Sequence, residues 1–391
     1  GFLVAAAFIG PGTVTTCSMA GARFGYALIF ALVFATLTTL ILQEMTGRLS
    51  LGSGRDLGQA LREFPQRRLL RTVFIVLTLF SITFGCAAYE AGNIIGGALG
   101  LEMVSGIPKR VWVILLSAVA AGVLGTRKYR VVEKFLMALV FLMSASFLIT
   151  CAIVKPDLLG LLKGLIPSVP QTSGYLVLAL IGTTVVPYNL FLHSAAVRVK
   201  WGKREDIHAV RKDLLVSISL GGLISAAIVV TSAAAFYGKG FLLESGAQMA
   251  QQLRPLFGSL ANFLFGLGFF AAGMSSAVTA PYAAAFAASG VCGWKQEQER
   301  ASTKFRAVWI AVLTTGLVVS LFDLKPLAVI VAAQAANGLI LPIASLFLLI
   351  VLNNRTNMGL FVNTRWQNVI GSAVILIVSV LGLWNIIKIF L

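Results

Sequence analysis

The chain has 391 residues, of which 58% are hydrophobic and only 12% are charged. Soluble domains carry roughly 25% charged residues, so this composition excludes a soluble enzyme, a disordered protein and a disulfide scaffold. The 31 lysines and arginines against 14 aspartates and glutamates give a formal charge of +17. In a soluble protein this excess of basic residues would suggest a nucleic-acid partner. In a membrane protein it first indicates which loops face the cytoplasm.

Long apolar runs, separated by charged or Pro/Gly-containing breaks, predict eleven membrane-spanning helices. A helix needs roughly 20 apolar residues to cross a bilayer, and these runs are continuous, unlike the alternating strands of a β-barrel. The predicted spans are 1–22, 25–47, 71–101, 108–126, 131–153, 173–197, 214–236, 256–289, 305–322, 326–353 and 367–390. We therefore predict an all-α integral membrane protein without a soluble domain.

The basic residues of the connecting loops predict the orientation. With a cytoplasmic N-terminus, 22 of the 31 lysines and arginines fall on the cytoplasmic side. Because cytoplasmic loops carry the excess of Lys and Arg, we expect the N-terminus inside and the C-terminus outside, in a bacterial inner membrane. The chain starts within an apolar run and without Met, so we expect further residues before Gly1.

Two predicted spans contain helix-breaking residues at corresponding positions. The first span contains Pro11 between two glycines, and the sixth contains Pro187. Proline removes a backbone donor and glycine lowers the cost of unwinding. Because the two breaks are five spans apart, the second set of five is inverted relative to the first, an arrangement that points to a substrate site near the bilayer midplane. We predict one repeat at 1–153, a second at 154–353 and an additional helix in 354–391.

The residues around the breaks resemble the Nramp family of divalent-metal transporters, which share the LeuT-type fold. Segment 181–194, IGTTVVPYNLFLHS, is similar to the family's sixth helix, and segment 271–279, AAGMSSAVT, to its eighth. Segment 93–96 and the pair Gln334 and Pro342 extend the similarity to helices three and ten. The resemblance covers nearly the whole chain and implies a 5+5 inverted repeat with broken helices one and six, working by alternating access.

The resemblance fails at the residues that would bind metal. The family has Asp-Pro-Gly-Asn in helix one, where this sequence has GPGT at 10–13, and Met-Pro-His in helix six, where it has VPY at 186–188. Thr183 lies where the family uses a backbone carbonyl. We therefore predict no metal-ligand set, and the substrate-binding residues implied by the resemblance are Gly10, Gly12, Thr13, Thr183, Val186, Tyr188 and Gln334.

The loss of the carboxylate and thioether favours a small anion of the bicarbonate class as substrate. Helix N-termini carry partial positive charge and bind anions through backbone N–H groups, and both broken helices keep such starts. The alternative is a divalent cation, Mg²⁺ or Mn²⁺, carried with much of its water. Mg²⁺ needs only one or two carboxylates, and Glu90 is the one acid near the middle of a span. A transporter-like sensor is a third hypothesis.

Three further polar residues are candidates for proton binding or coupling. Glu90 and Asn93 are three apart on one helix face and occupy the positions of the family's acidic pair in helix three. Glu90 could instead be a neutral, hydrogen-bonded core residue. His193 matches a family histidine linked to the proton path or to gating, although a packed helix histidine is an equally good interpretation.

The remaining expectations concern enzymatic activity and partners. The sequence contains no phosphate-binding loop and no catalytic constellation, so we predict a transporter and not an enzyme. We expect no cofactor, a small inorganic ion as substrate, the lipid bilayer as surroundings and no nucleic-acid partner.

Overall fold

The computed structural model describes residues 9–65, 67–126, 130–240, 243–294 and 302–390, and these residues form helices and connections without a strand. The long helices are α1 (Pro11–Phe24), α2 (Ile29–Ser53), α3 (Arg68–Ser105), α4 (Lys109–Thr126), α5 (Arg130–Ile153), α6 (Gly174–Thr184), α7 (Pro187–Lys200), α8 (Ile207–Phe236), α9 (Ala261–Cys292), α10 (Thr303–Leu321), α11 (Pro326–Leu352) and α12 (Arg365–Phe390). Short helices occupy Leu57–Glu63, Leu158–Lys163, Gly246–Ala250, Arg254–Phe257 and Arg355–Met358.

The helices confirm the prediction of an all-α integral membrane protein. Within the described ranges, ten helical segments are long and apolar enough to cross a membrane. The first predicted span is represented by α1 from Pro11 onward, and residues 1–8 lie outside the described residues. The largest boundary difference is at α8, which begins at Ile207 and not at 214, because a helix can continue beyond its apolar part into a charged turn.

The sixth span is broken where the sequence predicts it. Helix α6 ends at Thr184, Val185 and Val186 have non-helical dihedral angles (φ −106°, ψ 79° and φ −84°, ψ 120°), and α7 begins at Pro187. The Val185 N–H still donates to the Ile181 carbonyl at 2.8 Å. Proline at the first helical position suits a new helix start, because its missing N–H would have no partner there in any case.

Small residues bring the central helices into close contact. On α3, Gly97 lies against Gly273 of α9, and Gly100 lies against the backbone of Phe270. On α6, Gly182 lies against the Gln334 carbonyl of α11. Such small-residue contacts are the usual means by which membrane helices pack, since the lipid gives no hydrophobic drive for their association.

A buried arginine joins one end of α2 to the connection between α11 and α12. The Arg48 side chain donates to the Phe361 carbonyl and to Asn363 Oδ1, each at 2.8 Å, and pairs with Glu44 at 3.2 Å. Arg211 of α8 pairs with the other oxygen of Glu44 at 2.7 Å. With an exposure of only 3%, Arg48 is stabilised by these partners, and the network connects three parts of the chain at the predicted cytoplasmic side.

The glycine contacts between α3 and α9 predict a specific stability effect. A Cβ at Gly100 would overlap the backbone at Phe270, which cannot move like a flexible side chain. We expect Gly100→Ala to destabilise the detergent-solubilised protein by about 1–3 kcal/mol, the usual cost of overpacking. Thermal unfolding would measure this as a lower Tm.

The matched control is Gly122→Ala, since Gly122 also lies in a helix but a Cβ there would meet nothing within 4 Å. Alanine should be neutral or slightly stabilising at that position, because glycine is the poorer helix former. Equal Tm values for the two variants would contradict the packing argument.

Candidate substrate site

Two helix starts lie buried in the middle of the structure. Gly10 is extended (φ −94°, ψ 175°) before Pro11, and Val186 is extended before Pro187. Neither Gly10 nor Val186 makes a side-chain cap hydrogen bond, and neither first turn contains an acid. Because residues 10–13 and 186–188 are all buried, the partial positive charge of each start faces the protein interior and not water.

A hydroxyl pair connects α1 to α6. Thr13 Oγ1 of α1 lies 3.0 Å from Thr183 Oγ1 of α6, and either oxygen could be the donor. Both side chains are almost fully buried, at 1% and 2% exposure. The structure thus brings together two of the residues that the sequence predicts for substrate binding, although they are 170 positions apart.

Gln334 of α11 closes the site on the side of Gly12. Its amide lies so close to Gly12 that any Cβ at position 12 would overlap it. Gln334 Nε2 donates to the Ile330 carbonyl at 3.3 Å, whereas its Oε1 is buried and has no hydrogen-bond partner among the described residues. An unsatisfied buried acceptor is costly, so this oxygen is suited to accept a hydrogen bond from a bound ligand.

Tyr89 and Ser276 also belong to the site, and the sequence analysis missed both. The hydroxyls of Tyr89 and Ser276 lie 3.3 Å and 3.4 Å from the position that a Cβ on Gly10 would take. The Tyr89 ring packs edge-to-face on Tyr188 of α7, with centroids 5.8 Å apart. A signal existed, because Tyr89 directly precedes Glu90 and Ser276 lies in the segment that resembles the family's eighth helix.

Glu90 contacts α10, whereas the neighbouring Tyr89 contacts α7. It is fully buried, its side chain packs against Gly316 of α10, and its Oε2 accepts from Asn93 Nδ2 at 3.4 Å. Its Oε1 has no hydrogen-bond partner within the described part of the chain. Tyr188 is close enough to interact with it electrostatically. Glu90 and Asn93 therefore form a hydrogen-bonded pair, and neither lies within 4 Å of the position that a Cβ on Gly10 would take.

His193 lies on α7 six residues beyond Pro187, which is about 9 Å along a helix axis. Its Nδ1 is 2.9 Å from Thr46 Oγ1 of α2, and its ring also contacts Gly47. The structure therefore does not place His193 with the two helix starts. Its position between α2 and α7 is that of a packed, hydrogen-bonded histidine.

The described residues contain no group of three or more His, Cys, Asp or Glu side chains that could hold a metal ion. Backbone carbonyls, hydroxyls and the Gln334 amide are the polar groups at the gap. Transition metals in proteins prefer imidazole, sulfur or carboxylate ligands. Thr13, Thr183, Tyr89, Ser276 and Gln334 instead carry hydroxyl or amide groups.

Comparison with known proteins extends the resemblance to the full chain. A family model described as natural resistance-associated macrophage protein-like (Nramp) matches residues 1–388. The "Divalent metal cation transporter MntH 1" of Pseudomonas aeruginosa is 31% identical and covers 98% of this chain and 89% of its own length. The corresponding MntH transporter of Brucella suis is 30% identical, with coverage of 98% and 86%.

Solved structures confirm the fold. A manganese transporter of Eremococcus coleocola, in complex with an aromatic bis-isothiourea compound, has a TM-score of 0.78 at 25% identity, covering 99% of this chain and 85% of that one. Mhp1, a nucleobase-cation-symport-1 transporter in a closed conformation, has a TM-score of 0.60 at 13% identity, covering 97% and 90%. The relatives' names describe transporters and not enzymes; they fit divalent cations better than bicarbonate.

The hydroxyl pair predicts a measurable coupling between α1 and α6. Thr13→Val or Thr183→Val alone removes one hydroxyl and deprives the other of this partner. In a double-mutant cycle on thermal stability we expect a coupling free energy of about 1 kcal/mol, the usual net value of a buried hydrogen bond.

Thr315→Val is the control, because the Thr315 hydroxyl donates only to the Ala311 carbonyl of its own helix, at 2.8 Å. Combined with Thr13→Val, it should give additive effects. If the stability effects of Thr13→Val and Thr183→Val were also additive, the hydroxyl pair would be contradicted.

Proposed function

This chain belongs to the Nramp family of secondary transporters, and we propose that its site binds a small anion of the bicarbonate class. The observation that supports this substrate is the pair of buried helix starts at Pro11 and Pro187, neither of which has a side-chain cap or an acid in its first turn. Each start carries about half a positive charge. An anion placed between them would complete their hydrogen bonding and meet no carboxylate.

Bicarbonate matches the hydrogen-bond groups around the gap. Its three oxygens can accept from first-turn N–H groups and from the hydroxyls at Thr13 and Tyr89. Its single O–H can donate to Gln334 Oε1, which lacks a partner within the described residues. The contact between Gly12 and the Gln334 amide leaves little room, so the site favours a small planar ion over a bulky one.

Glu90 is our proposed proton site for coupled transport. It is fully buried, one of its oxygens has no hydrogen-bond partner among the described residues, and Tyr188 lies within electrostatic reach. A negative charge on Glu90 would repel an anion beside Tyr188, whereas a proton on it would remove that repulsion. Binding of the proton and of the anion would therefore favour each other. Asn93 supports this role by donating to the carboxyl group.

A divalent cation carried with much of its water is the second candidate. The relatives' names support this class, since they include divalent metal cation and manganese transporters. Mg²⁺ keeps several waters and needs only one or two carboxylates, and Glu90 could supply one. Against this candidate, the described residues contain no group of three or more His, Cys, Asp or Glu side chains that could hold a metal ion.

We also propose that the repeats span 1–153 and 154–353, followed by the additional helix in 354–391. The N-terminus would lie in the cytoplasm and the C-terminus outside, in a bacterial inner membrane. The distribution of basic loop residues supports this orientation, and the bacterial relatives support this membrane.

The anion proposal predicts the effect of restoring an acid at the first break. We expect Gly10→Asp to abolish uptake of labelled bicarbonate into proteoliposomes, because the carboxylate would neutralise the helix start and repel the substrate. Gly10→Asn is the matched control, with the same side-chain size and no charge, and should retain a measurable part of the uptake. If both variants lost uptake equally, the size of the new side chain and not its charge would explain the loss. Undiminished uptake by Gly10→Asp would exclude the anion site.

The cation candidate has its own test in calorimetric titration of the purified protein with Mg²⁺ and Mn²⁺. If a hydrated divalent cation is the substrate, the wild type should bind it and Glu90→Gln should weaken binding at least about tenfold, the loss of one charged ligand. Absence of metal binding by the wild type would remove this candidate.

A further inference from the structure

A polar cavity lies at the end of α8, on the side predicted to face outward. Its volume is about 440 Å³, and it is bounded by the last turn of α8 and by residues 251–255. Two cations, Lys239 and Arg254, and two amides, Gln251 and Gln252, lie among its lining residues, none of which is acidic. We call this cavity the outer vestibule.

The two cations of the outer vestibule form no ion pair with an acid among the described residues. The Lys239 ammonium donates to the carbonyls of Ala234 and Ala235, at 3.0 Å and 2.9 Å, which leaves its third N–H for a ligand. Arg254 is an exposed residue of the cavity lining. Neither cation takes part in the ion pairs found in the described residues, where Glu244 pairs instead with Lys325 at 3.8 Å.

Gln252 connects the floor of the outer vestibule to the helix that carries the first break. It is fully buried, its Nε2 donates to Ser18 Oγ of α1 at 2.9 Å, and its Oε1 accepts from Thr231 Oγ1 of α8 at 3.3 Å. Ser18 lies five residues beyond Thr13, about 7.5 Å along the helix. Gln252 therefore joins the outer vestibule to α1, the helix that begins at the candidate substrate site.

We propose that the outer vestibule is a second oxyanion-binding site, which takes up the anion from outside before it passes Gln252. Two uncompensated cations in a concave polar surface concentrate anions and repel cations. The role in transport rests on the proposed function, whereas the binding of an oxyanion between Lys239 and Arg254 does not. A carboxylate-like inorganic ion and a lipid phosphate share this chemistry.

The direct test is protection of Lys239 from acylation in the purified full-length protein in lipid-free neutral detergent, followed by mass spectrometry. We expect saturating bicarbonate or inorganic phosphate to slow acylation at Lys239 about threefold or more, compared with chloride at equal ionic strength. Acylation at Lys325, whose side chain is 85% exposed, should not change. Arg254→Gln should abolish the protection. Unprotected Lys239, or equal protection of Lys325, would overturn the proposal.

Two further measurements distinguish a free anion from a lipid headgroup, and failure of the outer vestibule from failure of the proposed function. Lys239 could be protected in nanodiscs that contain anionic lipid but not by free bicarbonate or phosphate. That result would assign the cavity to a lipid headgroup and overturn its role as an outer substrate site. In neutral-lipid proteoliposomes, Lys239→Gln should raise the KM for bicarbonate about three- to tenfold with kcat unchanged. If the wild type carries no bicarbonate, the proposed function fails, and the protection assay still decides whether the vestibule binds oxyanions.

Discussion

The structure depends on one constraint, which is that backbone polar groups left unpaired inside a bilayer must be surrounded by protein. Pro11 and Pro187 each begin a helix among buried residues, and proline itself has no N–H. In the first turn of α7, the Asn189 N–H donates to the Val186 carbonyl at 3.0 Å. The surrounding helices enclose these starts, and the Thr13–Thr183 pair joins α1 to α6. The proposed substrate site follows from this constraint, because an anion there would meet the partial positive charge of two enclosed helix starts.

Close packing makes that enclosure possible. Gly96 of α3 lies directly against Pro11, and Gly182 of α6 lies against the backbone of α11. The same closeness limits the space at the gap, since Gly12 contacts the Gln334 amide. Stability and substrate selectivity are therefore coupled, because a larger side chain at Gly12 or Gly182 would both separate the helices and change the shape of the site.

Charge is distributed away from the site. The formal +17 of the chain lies mainly in loops and at helix ends, for example in the Arg48 network and at Lys239 and Arg254. The first turns of α1 and α7 contain no acid, and Glu90 packs against Gly316. In the proposed function, attraction for an anion at the gap would come from backbone dipoles, whereas at the outer vestibule it would come from the side chains of Lys239 and Arg254.

The sequence by itself determined the positions of most spans and the break at Pro187, because apolar run length and proline chemistry act locally along the chain. It predicted eleven spans, and ten helical segments of the described residues are long and apolar enough to cross a membrane. The family came from the resemblance of its motifs. The sequence also indicated Thr13, Thr183 and Gln334. Only the tertiary structure decided which side chains meet. Tyr89 and Ser276 join the site, while Glu90 turns towards Gly316 and His193 towards Thr46. The physical reason is that a helix presents successive residues about 100° apart, so neighbours in sequence face different helices, and only packing selects the partner of each.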